Sequence, residues 1–339
     1  MKRQALVWAM LIVTTIAAMG VFMEVHAPKS SQKAAVEKAE PKELDRLTIE
    51  SIRNRTYTPS SLDVEQNLGN QGGYSNQIVS YTSDGLKIYA LKSTPAGTAP
   101  AGGWPVIIFD HGYIYPPDYR TNDGSYQQFI AAFACAGYIV IKPDYRGHGQ
   151  SQGVPEGGHF SPVYAYDNLN LIASLKQQPD VNAARIGQFG HSLGGHVALR
   201  TIVASKDVKA TVLAAGVVGS FNDFFYNWPH SPMPYDRPQI VQSLKAQYVA
   251  KYGEPKANPN FWNSVTSLNY VNYISGAVQV DHDAGDSTVP ALFSQHLVSA
   301  LQKAGKTVEY NEYPGDDHQF SANRQRILAD ALTFYRKYL

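Results

Sequence analysis

The chain is 339 residues long, 44% hydrophobic and 17% charged, which supplies a sizeable core and excludes a disordered chain. Its 29 Lys and Arg balance 28 Asp and Glu, so the basic excess of a nucleic-acid binder is missing. One cysteine, Cys135, excludes an intrachain disulfide framework and any multi-cysteine metal site, and its apolar neighbours predict a small core residue.

Lys2 and Arg3 precede an uncharged stretch from Ala5 to Met23, close to the ~20 residues that span a bilayer. Residues 1–23 therefore read as a signal peptide or membrane anchor. Val25-His26-Ala27 is a weak cleavage site and Pro28 after it is unfavourable, which favours the anchor. The basic start stays in the cytoplasm, so the body is expected to be secreted or held on the outer face of the cytoplasmic membrane, in contact with lipid only through this segment. Residues 24–61, rich in Lys, Glu, Ala and Ser, read as a polar stalk, which leaves 62–339 as one domain.

Within that domain strands and helices alternate. Gln77–Thr82 and Leu86–Leu91 flank a Ser-Asp-Gly turn and predict a hairpin. Pro105–Phe109 is a continuous apolar run of the kind a buried parallel strand needs, followed by a helix over Tyr126–Ala136 and a strand over Tyr138–Ile141. Ala165, Leu169, Ile172 and Leu175 share one face of the next helix. Strand Arg185–Phe189, helix Leu193–Ala204 and strand Ala210–Ala214 come next; Ala277–Val280, Leu292–Ala304, Val308–Tyr310 and Gln325–Tyr338 continue the rhythm. Such alternation implies a mostly parallel sheet with helices on both faces. Between about 218 and 274 the pattern breaks into a proline-containing stretch with Phe221, Phe224, Phe225, Tyr226, Trp228, Tyr235, Phe261, Trp262 and Tyr270. It is expected to form a small cap over the carboxyl edge, where open α/β sheets bind ligands. Its rings suit an apolar acyl or aryl group, or form a packed cap core.

Gly190-His191-Ser192-Leu193-Gly194 matches G-x-S-x-G between a strand and a helix, the setting of a nucleophile elbow. A serine hydroxyl needs a base, and the base an orienting carboxylate. Of ten histidines, His318 lies between the last strand and the last helix, at the carboxyl edge within reach of Ser192. His191 is held by the turn and cannot easily fold back onto the serine. Asp281, Asp283 and Asp286 all follow the preceding strand, and strand geometry alone does not choose among them. For an oxyanion hole, Leu193 supplies one backbone N–H, and Tyr113, after Asp110-His111-Gly112, supplies the other or its hydroxyl. A metal site from Asp281, His282, Asp283 and His318 lacks the helical pairing of H-E-x-x-H and is not expected. The glycines from Gly147 to Gly153 have one residue too many for a dinucleotide fingerprint, so no cofactor is expected.

These segments together resemble the catalytic domain of the prolyl oligopeptidase family of α/β-hydrolases. The likeness runs from about Ile78 to Leu339 and rests on four stretches, Asp144–Ser151, Arg185–Gly195, His282–Pro290 and Tyr313–Phe320. It implies an α/β-hydrolase fold with Ser192 as nucleophile, Asp286 as acid and His318 as base. Where the family's acid motif usually carries a glycine after its histidine, this chain has Asp283. Peptidases of the family generally carry a β-propeller ahead of this domain, and nothing before Ile78 reads as one. Single-domain cinnamoyl and acetyl esterases are similar. The expectation is a serine hydrolase of a small ester, with a short peptide or acylated amino acid as second choice of substrate. A non-catalytic binding protein on the same fold is the rival from another class; oligomeric state is not legible.

Overall fold

The computed structural model describes residues 45–156, 158–228 and 238–339, so the expected signal or anchor over 1–23 lies outside the described residues. Among the described residues no helix is long and apolar enough to cross a membrane.

Asp84 and Gly85 both take positive φ, 53° and 78°, as a two-residue hairpin turn requires. They join β2 (Tyr74–Ser83) to β3 (Leu86–Pro95) with Ser83 opposite Leu86. An edge strand not evident in the sequence, β1 (Asp63–Asn70), pairs antiparallel with β2. The remaining strands follow: β4 (Trp104–Asp110), β5 (Ile139–Pro143), β6 (Val181–His191), β7 (Val208–Ala214), β8 (Ala277–His282) and, at the other edge, β9 (Val308–Glu312). The sheet order is β1-β2-β3-β5-β4-β6-β7-β8-β9, and the six strands from β5 to β9 run parallel.

Alternate residues of one strand feed two cores. Val106 and Ile108 of β4 point to the side covered by α3 (Val163–Leu175), α4 (Leu193–Ala204) and α8 (Ala291–Lys303). Ile107 and Phe109 point to the side covered by α2 (Gln127–Cys135) and α9 (Arg324–Tyr338). Burial on both faces is why the centre of β4, Val106–Phe109, is a continuous apolar run. The mostly parallel α/β-hydrolase fold is thus the fold of the molecule.

Two expectations need correction. Cys135 is exposed: α2 turns Phe129, Ile130, Phe133 and Ala134 inward, and position 135 falls off that stripe in its last turn. Of the polar stalk expected over 24–61, the part before residue 45 lies outside the described residues, and the described part is not all solvated. Helix α1 (Ile49–Asn54), capped by the Thr48 hydroxyl, buries Ile49 and Ile52 completely and packs on α4.

Between β4 and β6 the winding direction reverses, and this switch point brings the ends of those two strands side by side. The approach is close: a Cβ at Gly194 would collide with the Asp110 carbonyl oxygen. Helix propensity alone makes Gly194→Ala stabilising by ~1 kcal/mol. The contact predicts the opposite, a loss of ~1–3 kcal/mol, and the urea midpoint of the purified variant decides between them.

Candidate active site

Strand β6 ends at His191 and α4 begins at Leu193, so the whole reversal falls on Ser192, whose φ of 55° and ψ of −119° are foreign to most side chains. The surrounding backbone holds it there. Ser192 N–H donates to the Ala214 carbonyl at 3.1 Å, and the Ser192 carbonyl accepts from Gly195 and Val217 at 3.0 and 2.9 Å. Gly190 is needed because a Cβ there would meet the Gly194 carbonyl at 2.5 Å.

The loop after β9 brings the His318 ring over this turn. Its Nε2 lies 2.9 Å from Ser192 Oγ and its Nδ1 2.7 Å from Asp286 Oδ2. A carboxylate only accepts, so Nδ1 carries the proton and the bare Nε2 can accept from the serine. Asp286 Oδ1 takes the Thr288 and Val289 amides at 2.7 and 3.0 Å, and the buried His282 stands 3.3 Å from Oδ2. Burial pushes the Asp286 carboxyl up, but the hydrogen bonds from His282 and His318 outweigh it and hold the group well below the usual range.

The other two carboxylates face elsewhere. Asp283 accepts the amides of Gly285 and Asp316, which fastens the Asp286 loop to the His318 loop. Asp281 is fully buried against Gln279 and Asn311. Of the three, Asp286 is the one that meets His318. Asp316 in turn accepts the Ala322 and Asn323 amides and shapes the turn around His318. These roles of His282, Asp283 and Asp316 are not legible in the sequence, because nothing local to them says which amide a carboxylate will take.

Gly112 lies against Ser192: a Cβ at that position would be 3.2 Å from Ser192 Cβ. Tyr113, next in the chain, is half-buried beside it, while Leu193 N–H opens α4, where the first turn's amides have no acceptor within the helix. His191 faces away from the serine oxygen, as its place in the turn predicts, with Nε2 2.8 Å from the His318 carbonyl.

The insertion folds as α5 (Phe221–Tyr226), α6 (Pro238–Tyr252), α7 (Pro259–Val265) and a 3₁₀ turn at Ser267–Tyr273. Most of its aromatic rings pack on one another and join the core on the α3, α4 and α8 side of the sheet. Phe221 packs on Phe224 and Trp262, Phe225 on Trp262, and Tyr252 stacks on Phe261 at 4.0 Å. Trp228 is half-buried and its Nε1 donates to the Thr288 carbonyl, two residues beyond Asp286. Tyr235 lies outside the described residues.

A family model described as serine aminopeptidase, S33, matches residues 119–312. The chain is 25% identical over 262 residues to an uncharacterized peptidase, YtmA, of Bacillus subtilis (strain 168), which takes in 76% of this chain and 92% of that protein. Against dipeptidyl-aminopeptidase B of Aspergillus niger it is 26% identical over 295 residues, but spans only 30% of that protein's length. Among solved structures, acetyl xylan esterase 1 from Thermoanaerobacterium sp. superposes with a TM-score of 0.66 at 17% identity, covering 87% of this chain and 94% of that one. Pyrococcus horikoshii acylaminoacyl peptidase superposes at 0.64 and 18%, covering 79% and 42%.

Beneath the site sits a carboxyl of opposite character to Asp286. Asp110 ends β4, is fully buried and accepts from Asn168 Nδ2 at 2.7 Å and Gln188 Nε2 at 2.5 Å. Burial outweighs these bonds and raises it to about 7. An unfolded carboxyl releases its proton near ~3.9, so between about pH 4 and pH 7 the folded chain holds a proton the unfolded chain has lost, and stability falls as pH rises. Asp110→Asn removes this contribution. Its stability relative to the parent is expected to rise across that window and to level off above it. Chemical denaturation at pH 4.5 and pH 8 checks this, and a difference equal at both would mean Asp110 ionises normally.

Proposed function

The chain belongs to the serine aminopeptidase family S33 and is a serine hydrolase of α/β-hydrolase fold, and from that membership we propose that it cleaves a small ester through an acyl-enzyme formed on Ser192. The observation that carries the reading is the His318 ring standing between Ser192 Oγ and Asp286, 2.9 Å from one and 2.7 Å from the other. In this reading Ser192 Oγ attacks the carbonyl carbon as its proton passes to His318 Nε2. Asp286 holds the tautomer and stabilises the imidazolium. The carbonyl oxygen gains the negative charge and is met by the N–H groups of Leu193 and Tyr113, a contribution of ~2.7–4 kcal/mol per donor. Collapse breaks the bond to the leaving group, which takes the proton from Nε2, and water repeats the sequence to release the acid.

Esters come first because acetyl xylan esterase 1 superposes over 87% of this chain and 94% of its own, a fuller match than the 79% and 42% of the acylaminoacyl peptidase. The similarity to YtmA, a peptidase matched over 92% of its length, favours a short peptide or acylated amino acid as the second reading. The uncharged stretch Ala5–Met23 behind Lys2 and Arg3 supports an extracytoplasmic, anchored or secreted protein.

A fluorophosphonate probe is expected to label the parent and spare Ser192→Ala; an unlabelled parent would favour a binding protein on this fold. Nitrophenyl esters assayed beside aminoacyl anilides rank the substrates, and amidase activity without ester turnover would reverse the order. Asp286→Asn is expected to lower kcat by up to ~10⁴, and Asp283→Asn by much less, since Asp283 meets two backbone amides and not the imidazole. Equal losses in steady-state kinetics would mean that the acid is assigned wrongly.

A further inference from the structure

Gly112, Tyr126, His191 and His318 come from distant parts of the chain, yet their polar groups form one unbroken line. The Gly112 N–H donates to the Tyr126 hydroxyl oxygen at 2.9 Å. That hydroxyl lies 2.8 Å from His191 Nδ1, and His191 Nε2 lies 2.8 Å from the His318 carbonyl. The two ends dictate the protons. A backbone amide only donates and a carbonyl only accepts, so His191 carries its hydrogen on Nε2 and the tyrosine hydrogen points at the bare Nδ1. This needs a neutral imidazole, and burial, aided by the neighbouring His318, holds His191 down to about 3.

We propose that Tyr126 and His191 are positioning residues that lock the loop carrying the Tyr113 amide to the loop carrying His318. The inference rests on the roles given above to Ser192, Tyr113 and His318. The His111–Gly112 peptide is gripped at both ends, its carbonyl by the Tyr145 hydroxyl at 3.1 Å and its N–H by Tyr126. The Tyr113 N–H, one peptide further on, inherits that orientation. At the other end His191 holds the carbonyl of His318 itself, and His191 directly precedes Ser192, so the line runs beneath the nucleophile and joins the loops after β4, β6 and β9.

Two further features fit a line under constraint. Tyr126 sits at φ 62°, in the left-handed region a bulky residue rarely adopts unless its surroundings demand it. A Cβ at Gly112 would stand 2.7 Å from Tyr126 Oη and 3.1 Å from His191 Nδ1, so position 112 has no room for a side chain without displacing both.

The test is Tyr126→Phe, which deletes one oxygen and keeps the ring, with His191→Gln as the second variant and the pair combined. Rates on a nitrophenyl ester are divided by the active sites counted with a fluorophosphonate, so that misfolded protein does not enter. Each single variant is expected to lose ~10–100-fold in kcat with KM changed by less than about twofold, as misorientation of catalytic groups costs rate rather than binding. The double variant is expected to be no worse than the poorer single, because one line can be cut only once. A purely structural role would lower the melting temperature and leave kcat per titrated site within about twofold of the parent, and that result, or losses that multiply in the double variant, would overturn the proposal. Should Tyr126→Phe fail to fold, His191→Gln alone decides on the same criteria. Ser192→Ala assayed alongside separates the two readings: turnover without the serine would sink the catalytic assignment, whereas an inert Ser192→Ala beside a fully active Tyr126→Phe would sink only the line.

Discussion

The structure depends on one close approach, that of the first turn of α4 to the end of β4. Gly194 in the helix lies so near the Asp110 carbonyl that no side chain fits, and Gly190 lies similarly close to the Gly194 carbonyl. This compression leaves Ser192 at φ 55°, a conformation that costs a non-glycine residue ~1–3 kcal/mol. The sheet supplies the offset. β6 is paired on both sides, with β4 from Val106↔Ile186 to Asp110↔Gly190 and with β7 up to His191↔Ala214, so the strand cannot relax at its tip without breaking ladders on either side. The hydroxyl is therefore presented at the sheet's edge by elements buried on both faces.

Around that fixed point the acidic groups divide by what surrounds them. Asp286 receives two backbone amides and stands against two imidazoles, and its charge is stabilised although the group is largely out of water. Asp110 and Asp281 are fully buried with side-chain amides as their main partners, and burial raises each to about 7. Desolvation and donated hydrogen bonds oppose each other at all three groups; the donors prevail at Asp286 and burial prevails at Asp110 and Asp281. Asp283 is placed differently again: its two oxygens each take a backbone amide and so tie the Asp286 loop to the His318 loop. The residue that departs from the family's usual glycine thus has a place of its own in the geometry.

What is legible in the sequence follows from how local each signal is. The turn at Ser192 and the apolar strand before it can be read because a glycine-flanked serine between an apolar strand and a helix forces a tight reversal with the hydroxyl at its tip. The choice among Asp281, Asp283 and Asp286 cannot be read from the residues alone, since it turns on which oxygen a loop aims at a ring 32 positions away; only the family likeness selects Asp286. Strand β1 escapes notice because its residues are almost all exposed on a sheet edge, with no alternation to betray it. Helix α1 blends into the polar stretch before it because six residues with two buried isoleucines carry little periodicity. Cys135 misleads because apolar neighbours in a helix say nothing of which face a residue is on.

The insertion shows the limit of composition as a guide to binding. Aromatic side chains are as useful for making a short helical layer cohere as for receiving a substrate, and an insertion of three helices needs a core before it can offer a surface. Phe221, Phe224, Phe261 and Trp262 are each less than a tenth exposed and share one core with α3, α4 and α8, so their area goes into holding the layer together and onto the body. The layer is then tied down by polar contacts at its margins. Arg200, 2% exposed, extends from α4 to the Ser161 and Val265 carbonyls at 2.8 and 3.2 Å, and burial lowers it only to about 10, so it stays a cation that fastens α7 to the body. Trp228 makes the corresponding contact at the site itself, its indole N–H bonded to the loop of Asp286. That ring is half-buried, and its bond to the Thr288 carbonyl ties the insertion to the loop that carries Asp286, so loop and indole orient one another.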